Sequence, residues 1–192
     1  DRRHINENDL KIISSYKKIP LNLEIAASAK MLKIALKYKP NFICLVPEKR
    51  KEITTEGGLN LNFRAAFLKK IIFKLKRNKS RVSLFIEPNQ SDIKKAKLLN
   101  VNCIEIHTGK FCNLVNKNKS FKNELNRIKK AVRLANKIGL EVHAGHGLTY
   151  KSARILSKIK GIREFNIGHF LIGESIYVGL SNSIKHFKKI IK

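Results

Sequence analysis

Two glutamates stand where a buried strand should be apolar. In Leu21-Asn22-Leu23-Glu24-Ile25 the leucines and Ile25 alternate onto one face, leaving Asn22 and Glu24 on the other. In Cys103-Ile104-Glu105-Ile106-His107 the same alternation places Glu105 and His107 together. Strands of a helix-covered parallel sheet are buried on both faces and read as continuous apolar runs, so these two break the rule. An ionised carboxylate withdrawn from water without partners is costly, and a chain that keeps one has a use for it. The plainer use is a salt bridge to a Lys or Arg on a neighbouring strand. The chemical one is an interior shared by two carboxylates, where burial raises the pKa toward that of a general base or acid working near neutral pH.

Two further strand ends pair histidine with glycine: His143-Ala144-Gly145-His146-Gly147 and Asn166-Ile167-Gly168-His169. Glycine lets backbone N–H groups approach a ligand closely, and a helix starting just after it offers the positive end of its dipole, a common way of holding phosphate. Each histidine alone could be an ordinary loop residue. The H-x-x-H spacing of His143 and His146 suggests metal, but no third ligand stands nearby. Residues 47–59, a long charged segment ending in Thr54-Thr55-Glu56-Gly57-Gly58, follow an expected strand and suit a lid.

The elements that must position these residues alternate along the chain. Runs rich in Ile, Val, Leu and Phe predict strands over 21–26, 42–46, 82–87, 103–107, 141–144 and 165–168. Between them, helical periodicity predicts helices over 28–38, 60–78, 90–99, 118–138, 150–160 and 172–190, with a further helix over 9–18. Repeated strand–helix–strand units imply parallel strands joined by right-handed crossovers, an α/β fold. A (β/α)8 TIM barrel has eight such units, so six predict an incomplete barrel in a single domain spanning 1–192. The open doubly wound sheet is the alternative that periodicity leaves standing.

Composition narrows the class. The 192 residues carry 41 Lys plus Arg against 14 Asp plus Glu, a formal net charge of +27. Such charge invites nucleic acid, yet the cations are spread over the expected helices, as in Lys69, Lys70, Lys74 and Lys76 or Lys122, Lys129, Lys130 and Lys137, and read as solvated faces. No nucleic-acid partner is expected. The positive field would instead draw in anionic small molecules. Apolar runs such as 42–47 are far short of a membrane span, the basic start is not followed by an apolar signal stretch, and Cys44, Cys103 and Cys112 form no C-x-x-C pair. The expectation is a cytoplasmic protein without membrane, disulfide or zinc. Met31 is the single methionine, and the chain is expected to be a fragment or a processed product.

Several segments together carry a resemblance: DRRHI at 1–5, NLEIA at 22–26, CLVPEKRKEITTEGGLN at 44–60, SLFIEP at 83–88, IEIHTG at 104–109, HAGHGLTY at 143–150 and NIGHFLIGE at 166–174. In this order and at these separations they closely resemble the pyridoxine 5'-phosphate synthase family over nearly the whole chain. The resemblance implies a (β/α)8 barrel that condenses 1-deoxy-D-xylulose 5-phosphate with 3-amino-2-oxopropyl phosphate, closing a pyridine ring and releasing phosphate and water, with no metal or organic cofactor, in a homo-oligomer. By position it implies that Glu24 is the general base, His146 the proton donor and Glu105 the carboxylate that stabilises the transition state. It further implies that His4 and Thr54 contact the sugar phosphate, and that Gly147, Gly168 and His169 contact the amino ketone phosphate. The family's first two strands, with an Asn, an Asp-His pair and a further catalytic His, fall before the equivalent of Asp1. A barrel without them is expected to be poorly stable and weakly active, and an inactive barrel that binds phosphate ligands or another subunit is the competing function.

Overall fold

The computed structural model describes residues 4–16, 18–47, 57–62 and 65–191. Helix α1 (Glu7–Ser15) starts at a capping box: the Asn6 side chain accepts from the N–H groups of Asn8 and Asp9, and the Asp9 carboxylate accepts from Asn6 N–H. Strand β1 (Asn22–Ala26) leads into α2 (Ala29–Tyr38), capped by the Ser28 hydroxyl, and then β2 (Phe42–Val46). Helix α3 (Ala65–Arg77), β3 (Arg81–Ile86), α4 (Gln90–Leu98) and β4 (Cys103–His107) follow. Two helices, α5 (Gly109–Asn116) and α6 (Lys122–Lys137), precede β5 (Glu141–Gly145). The chain continues through α7 (Tyr150–Leu156), β6 (Ile162–Asn166), α8 (His169–Val178) and α9 (Leu180–Ile190).

Among the described residues the six strands form one parallel sheet in the order β1-β2-β3-β4-β5-β6, with β1 and β6 at its two edges. The sheet curves strongly. Strands two apart in a flat sheet are separated by about 10 Å, yet Cys44 of β2 reaches Glu105 of β4, and Glu105 reaches Asn166 of β6. Arg81 of β3 likewise pairs with Glu141 of β5. Side chains of alternate strands meeting in layers are what a (β/α) barrel interior produces. The architecture is an incomplete barrel of six βα units, and the doubly wound alternative falls away.

The other side of the sheet is apolar. Ile43, Leu45, Leu84, Ile86, Ile104, Ile106 and Val142 are fully buried there, beneath Leu68, Ile72 and Leu75 of α3 and Ile128 and Val132 of α6. Alternation therefore puts Glu24, Cys44 and Ser83, which are register partners, on the concave face, together with Phe85, Glu105 and His143, which are partners two residues further along β3. Three elements differ from expectation. Strand β6 begins three residues before the expected 165–168, because a bulge at Val142/His143 takes up Arg163 and turns Glu164 and Asn166 inward. Helix α5 lies in what periodicity reads as a connection, and the expected 172–190 helix is two helices broken at Gly179.

Candidate active site

The floor of the concave face is built by β2, β4 and β6. Glu105 is buried, accepting from the Asn166 amide at 2.6 Å and from the Cys44 thiol at 3.6 Å. Burial pushes its carboxyl up to about 8; the charge of Glu24 adds to this, while Asn166 and Cys44 favour the ionised form. Burial also drives the Cys44 thiol well above the ordinary range, with Glu105 and then Glu24 contributing. Gly145, on β5 two residues beyond the register partner of Glu105, is required by this carboxylate: a Cβ there would collide with Glu105 Oε1.

Glu24 faces the same concavity from β1. Its side chain keeps contact with solvent, and yet the surrounding protein desolvates the carboxyl enough to raise its pKa, with His4 opposing the shift. The structure thus brings His4, Glu24, Glu105 and Cys44 into one electrostatic neighbourhood. The charge of Glu24 works against ionisation of the more deeply buried Glu105.

His146 stands at the carboxyl end of β5 with φ at 77°, a left-handed conformation uncommon for a side-chain-bearing residue. Thr108, fully buried after β4, holds it there. Its hydroxyl is 2.8 Å from the carbonyl oxygens of both Gly145 and His146, and its N–H donates to Gly145 O at 2.9 Å. The His146 ring lies 4.9 Å from that of His107 and 6.5 Å from that of Phe85, centroid to centroid. Gly147, beside it, is exposed. Gly168 caps α8 and His169 opens it, both exposed, so this helix presents free N–H groups at the end of β6.

Thr54 lies outside the described residues, as does most of the segment assigned to a lid. The end of that segment is anchored on β3: Gly58 N–H donates to Glu87 Oε1 at 3.2 Å and Leu59 N–H to Phe85 O at 2.7 Å. His143 belongs to another layer. Its Nε2 is 2.9 Å from Glu141 and its Nδ1 3.6 Å from Glu164, nearer the amino ends of the strands, so the H-x-x-H spacing gives its two histidines different neighbours. Among the described residues, no three His, Cys, Asp or Glu side chains could together hold a metal ion.

Sequence reasoning missed Asn166, Cys44, Thr108 and Glu87. Asn166 and Glu87 had a signal, each being a polar residue at the end of a strand. Cys44 and Thr108 had none, since a buried thiol and a buried hydroxyl are common in cores.

Comparison with known proteins bears on the chain as a whole. The model of the family described as "Pyridoxal phosphate biosynthesis protein PdxJ" matches residues 1–192. A pyridoxine 5'-phosphate synthase of Pelagibacter ubique is 57% identical over 190 residues, covering 99% of this chain and 80% of that protein. The synthase of Zymomonas mobilis is 49% identical over 191 residues, covering 100% of this chain and 74% of that protein. Among solved structures, the tryptophan synthase A-subunit of Pyrococcus furiosus superposes with a TM-score of 0.60 at 14% identity, over 96% of this chain and 70% of that one. The EAL domain of Mycobacterium smegmatis DcpA does so at 0.56 and 15%, over 92% and 82%. These last two share the fold. The family match over the full length, with the two sequence relatives, places this chain in the PdxJ family of pyridoxal phosphate biosynthesis proteins.

Proposed function

We propose that this chain is a pyridoxine 5'-phosphate synthase, joining 1-deoxy-D-xylulose 5-phosphate to 3-amino-2-oxopropyl phosphate with ring closure and loss of phosphate and water. The observation that carries the reading is the two carboxylates with raised pKa, Glu24 and Glu105, on one concave face at the mouth of which His146 is held in a strained backbone. Imine formation, elimination and an aldol-type closure each move a proton onto or off carbon or oxygen. Glu24, the more solvated carboxylate, is the general base. Glu105, with its pKa near 8, holds a proton at neutral pH and can donate a hydrogen bond to oxygen as negative charge develops there. His146 is the proton donor. His4 and Thr54 contact the sugar phosphate; Gly147, Gly168 and His169 take the amino ketone phosphate, the latter two at the amino end of α8. The strongly positive chain favours two anionic substrates.

The test is product formation from the two substrates by the full chain and its variants. Glu24→Gln and His146→Asn should each lower kcat by about a hundredfold or more with little change in KM. Undiminished turnover in both removes the residue assignment, and ligand binding without product marks an inactive barrel.

A further inference from the structure

His107 takes no role in the scheme above, yet it is the most elaborately held side chain at the mouth. Its Nδ1 lies 2.7 Å from Glu87 Oε1. The other oxygen of Glu87 is 3.3 Å from Arg127 of α6, which also grips Glu124, itself 3.6 Å from Lys110. The hydrogen bond from His107 is the main cause that holds the Glu87 carboxyl down at about 2, with Arg127 assisting. With Nδ1 facing this carboxylate, the neutral ring carries its proton on Nδ1 and a lone pair on Nε2. That Nε2 is buried and finds no hydrogen-bond partner among the described residues.

A buried polar atom without a partner costs free energy and calls for an explanation. The ring packed over it is that of His146, and the two meet above Gly109, where an added Cβ would lie 2.7 Å from His107 Nε2 and 2.6 Å from His146 Cδ2. The glycine leaves room for the two imidazoles to approach. Phe85 closes the cluster on the third side, 5.2 Å from His107. Burial of Nε2 keeps it from bulk water, and the His146 ring is the neighbouring imidazole, 4.9 Å away centroid to centroid.

We propose that His107 is a positioning residue for His146: with its Nδ1–H given to Glu87, it turns its Nε2 lone pair toward the His146 ring and accepts a hydrogen bond from that ring when it carries its proton. The chain Arg127–Glu87–His107 thereby orients the proton donor and favours its charged form, and the Gly58 N–H on Glu87 ties the same chain to the end of the β2–α3 segment. The titratable and charged groups facing the pair are Glu87 from β3, Arg127 and Glu124 from α6, and Lys110 from α5.

The role of His146 as proton donor rests on the synthase reading, so the experiment has one arm that does not depend on turnover. Imidazole nitrogen-15 spectra of the full chain are titrated for the parent, Glu87→Gln, His107→Asn and His107→Gln. Removing the carboxylate charge, or the acceptor at Nε2, should lower the midpoint of the His146 titration by about half a pH unit or more. His107→Gln, whose amide reaches the Nε2 position, should recover part of the shift. In the kinetic arm, the alkaline limb of kcat moves to lower pH by the same amount, kcat falls by about tenfold and KM stays within about twofold. An unmoved His146 titration in Glu87→Gln, accompanied by a lower melting temperature, would overturn the proposal and leave the chain as a bolt between α6 and β3. If His107→Asn does not fold, the isosteric Glu87→Gln decides by the same titration. A parent that forms no product removes the synthase reading, while the titration still decides the part played by His107.

Discussion

Glu105 and Glu87 act on folding stability in opposite directions. The Glu105 carboxyl ionises near 8 in the fold against an ordinary value of 4.5, so between those limits the native state holds the extra proton. The stability it contributes is complete below pH 4.5 and is lost as pH rises through 8. Glu87, held near 2, contributes stability that is present above 4.5 and lost as pH falls toward 2. Glu105→Gln keeps an acceptor for Asn166 and removes the ionisation. The melting temperature of the parent should therefore fall from about pH 6 to 9 more steeply than that of the variant, a comparison made by thermal melts across that range. Parallel curves would show that Glu105 does not titrate as its burial demands. Glu24 and Glu105 were legible in the sequence because each interrupts an apolar strand. Their partners were less so: Asn166 shows as a polar strand end, but its reach to Glu105 depends on a bulge that no periodicity announces, and Arg127 is one of 41 cations until the fold brings it to Glu87.

At the scale of elements, the turn after β5 depends on the start of the segment after β4. The Thr108 hydroxyl and N–H both meet Gly145, and the hydroxyl meets His146 as well, so one residue fastens the ends of two adjacent strands. Thr108→Val conserves the volume and removes the hydroxyl, whose single proton is shared between the Gly145 and His146 carbonyl oxygens; Gly145 O keeps the Thr108 N–H, and His146 O loses its Thr108 donor. It should cost about 1–3 kcal/mol of stability and lower kcat, because the strained His146 backbone loses its clamp. Ser80→Ala removes a buried hydroxyl that donates to Pro40 O at the amino end of the sheet, away from these strand ends, and serves as the comparison: about 1 kcal/mol lost, activity kept. Chemical denaturation and turnover measured on both separate loss of the clamp from general softening; equal activity in the two would remove Thr108 from the site. The strands were well read where alternation is clean, as in β1 and β4, or where an apolar run lies between prolines, as in β2. Helix α5 escaped because its eight residues follow directly on the strand and carry a short apolar pattern, Phe111, Cys112 and Val115, amid Lys and Asn. Gly179 was invisible as a break because apolar spacing continues on both sides of it.

For the whole molecule, net charge exerts a force that no single contact describes. A formal +27 spread over 192 residues repels itself in the folded state. Screening shortens from about 30 Å in 0.01 M salt to about 10 Å in 0.1 M. Raising sodium chloride across that range should therefore raise the melting temperature, by about 3 °C or more, with no phosphate present to act as a ligand. A flat or falling melting temperature would mean that local ion pairs such as Arg127 with Glu87 and Arg81 with Glu141 outweigh the overall repulsion. The class of fold was readable from the alternation of periods, since that alternation leaves few topologies open. The curvature was not, because it appears when residues of strands two apart touch.

Those contacts between alternate strands bear on how this barrel can be recombined. Cys44, Glu105 and Asn166 make one layer from three separate βα units, and Arg81 with Glu141 ties two more. No single unit owns the floor of the cavity. A chimera that takes one unit from a relative would import a strand and helix that fold correctly and yet mix the parentage of the layer they enter. The tolerable breakpoints are accordingly those that move β2, β4 and β6 together, a grouping that chain order conceals.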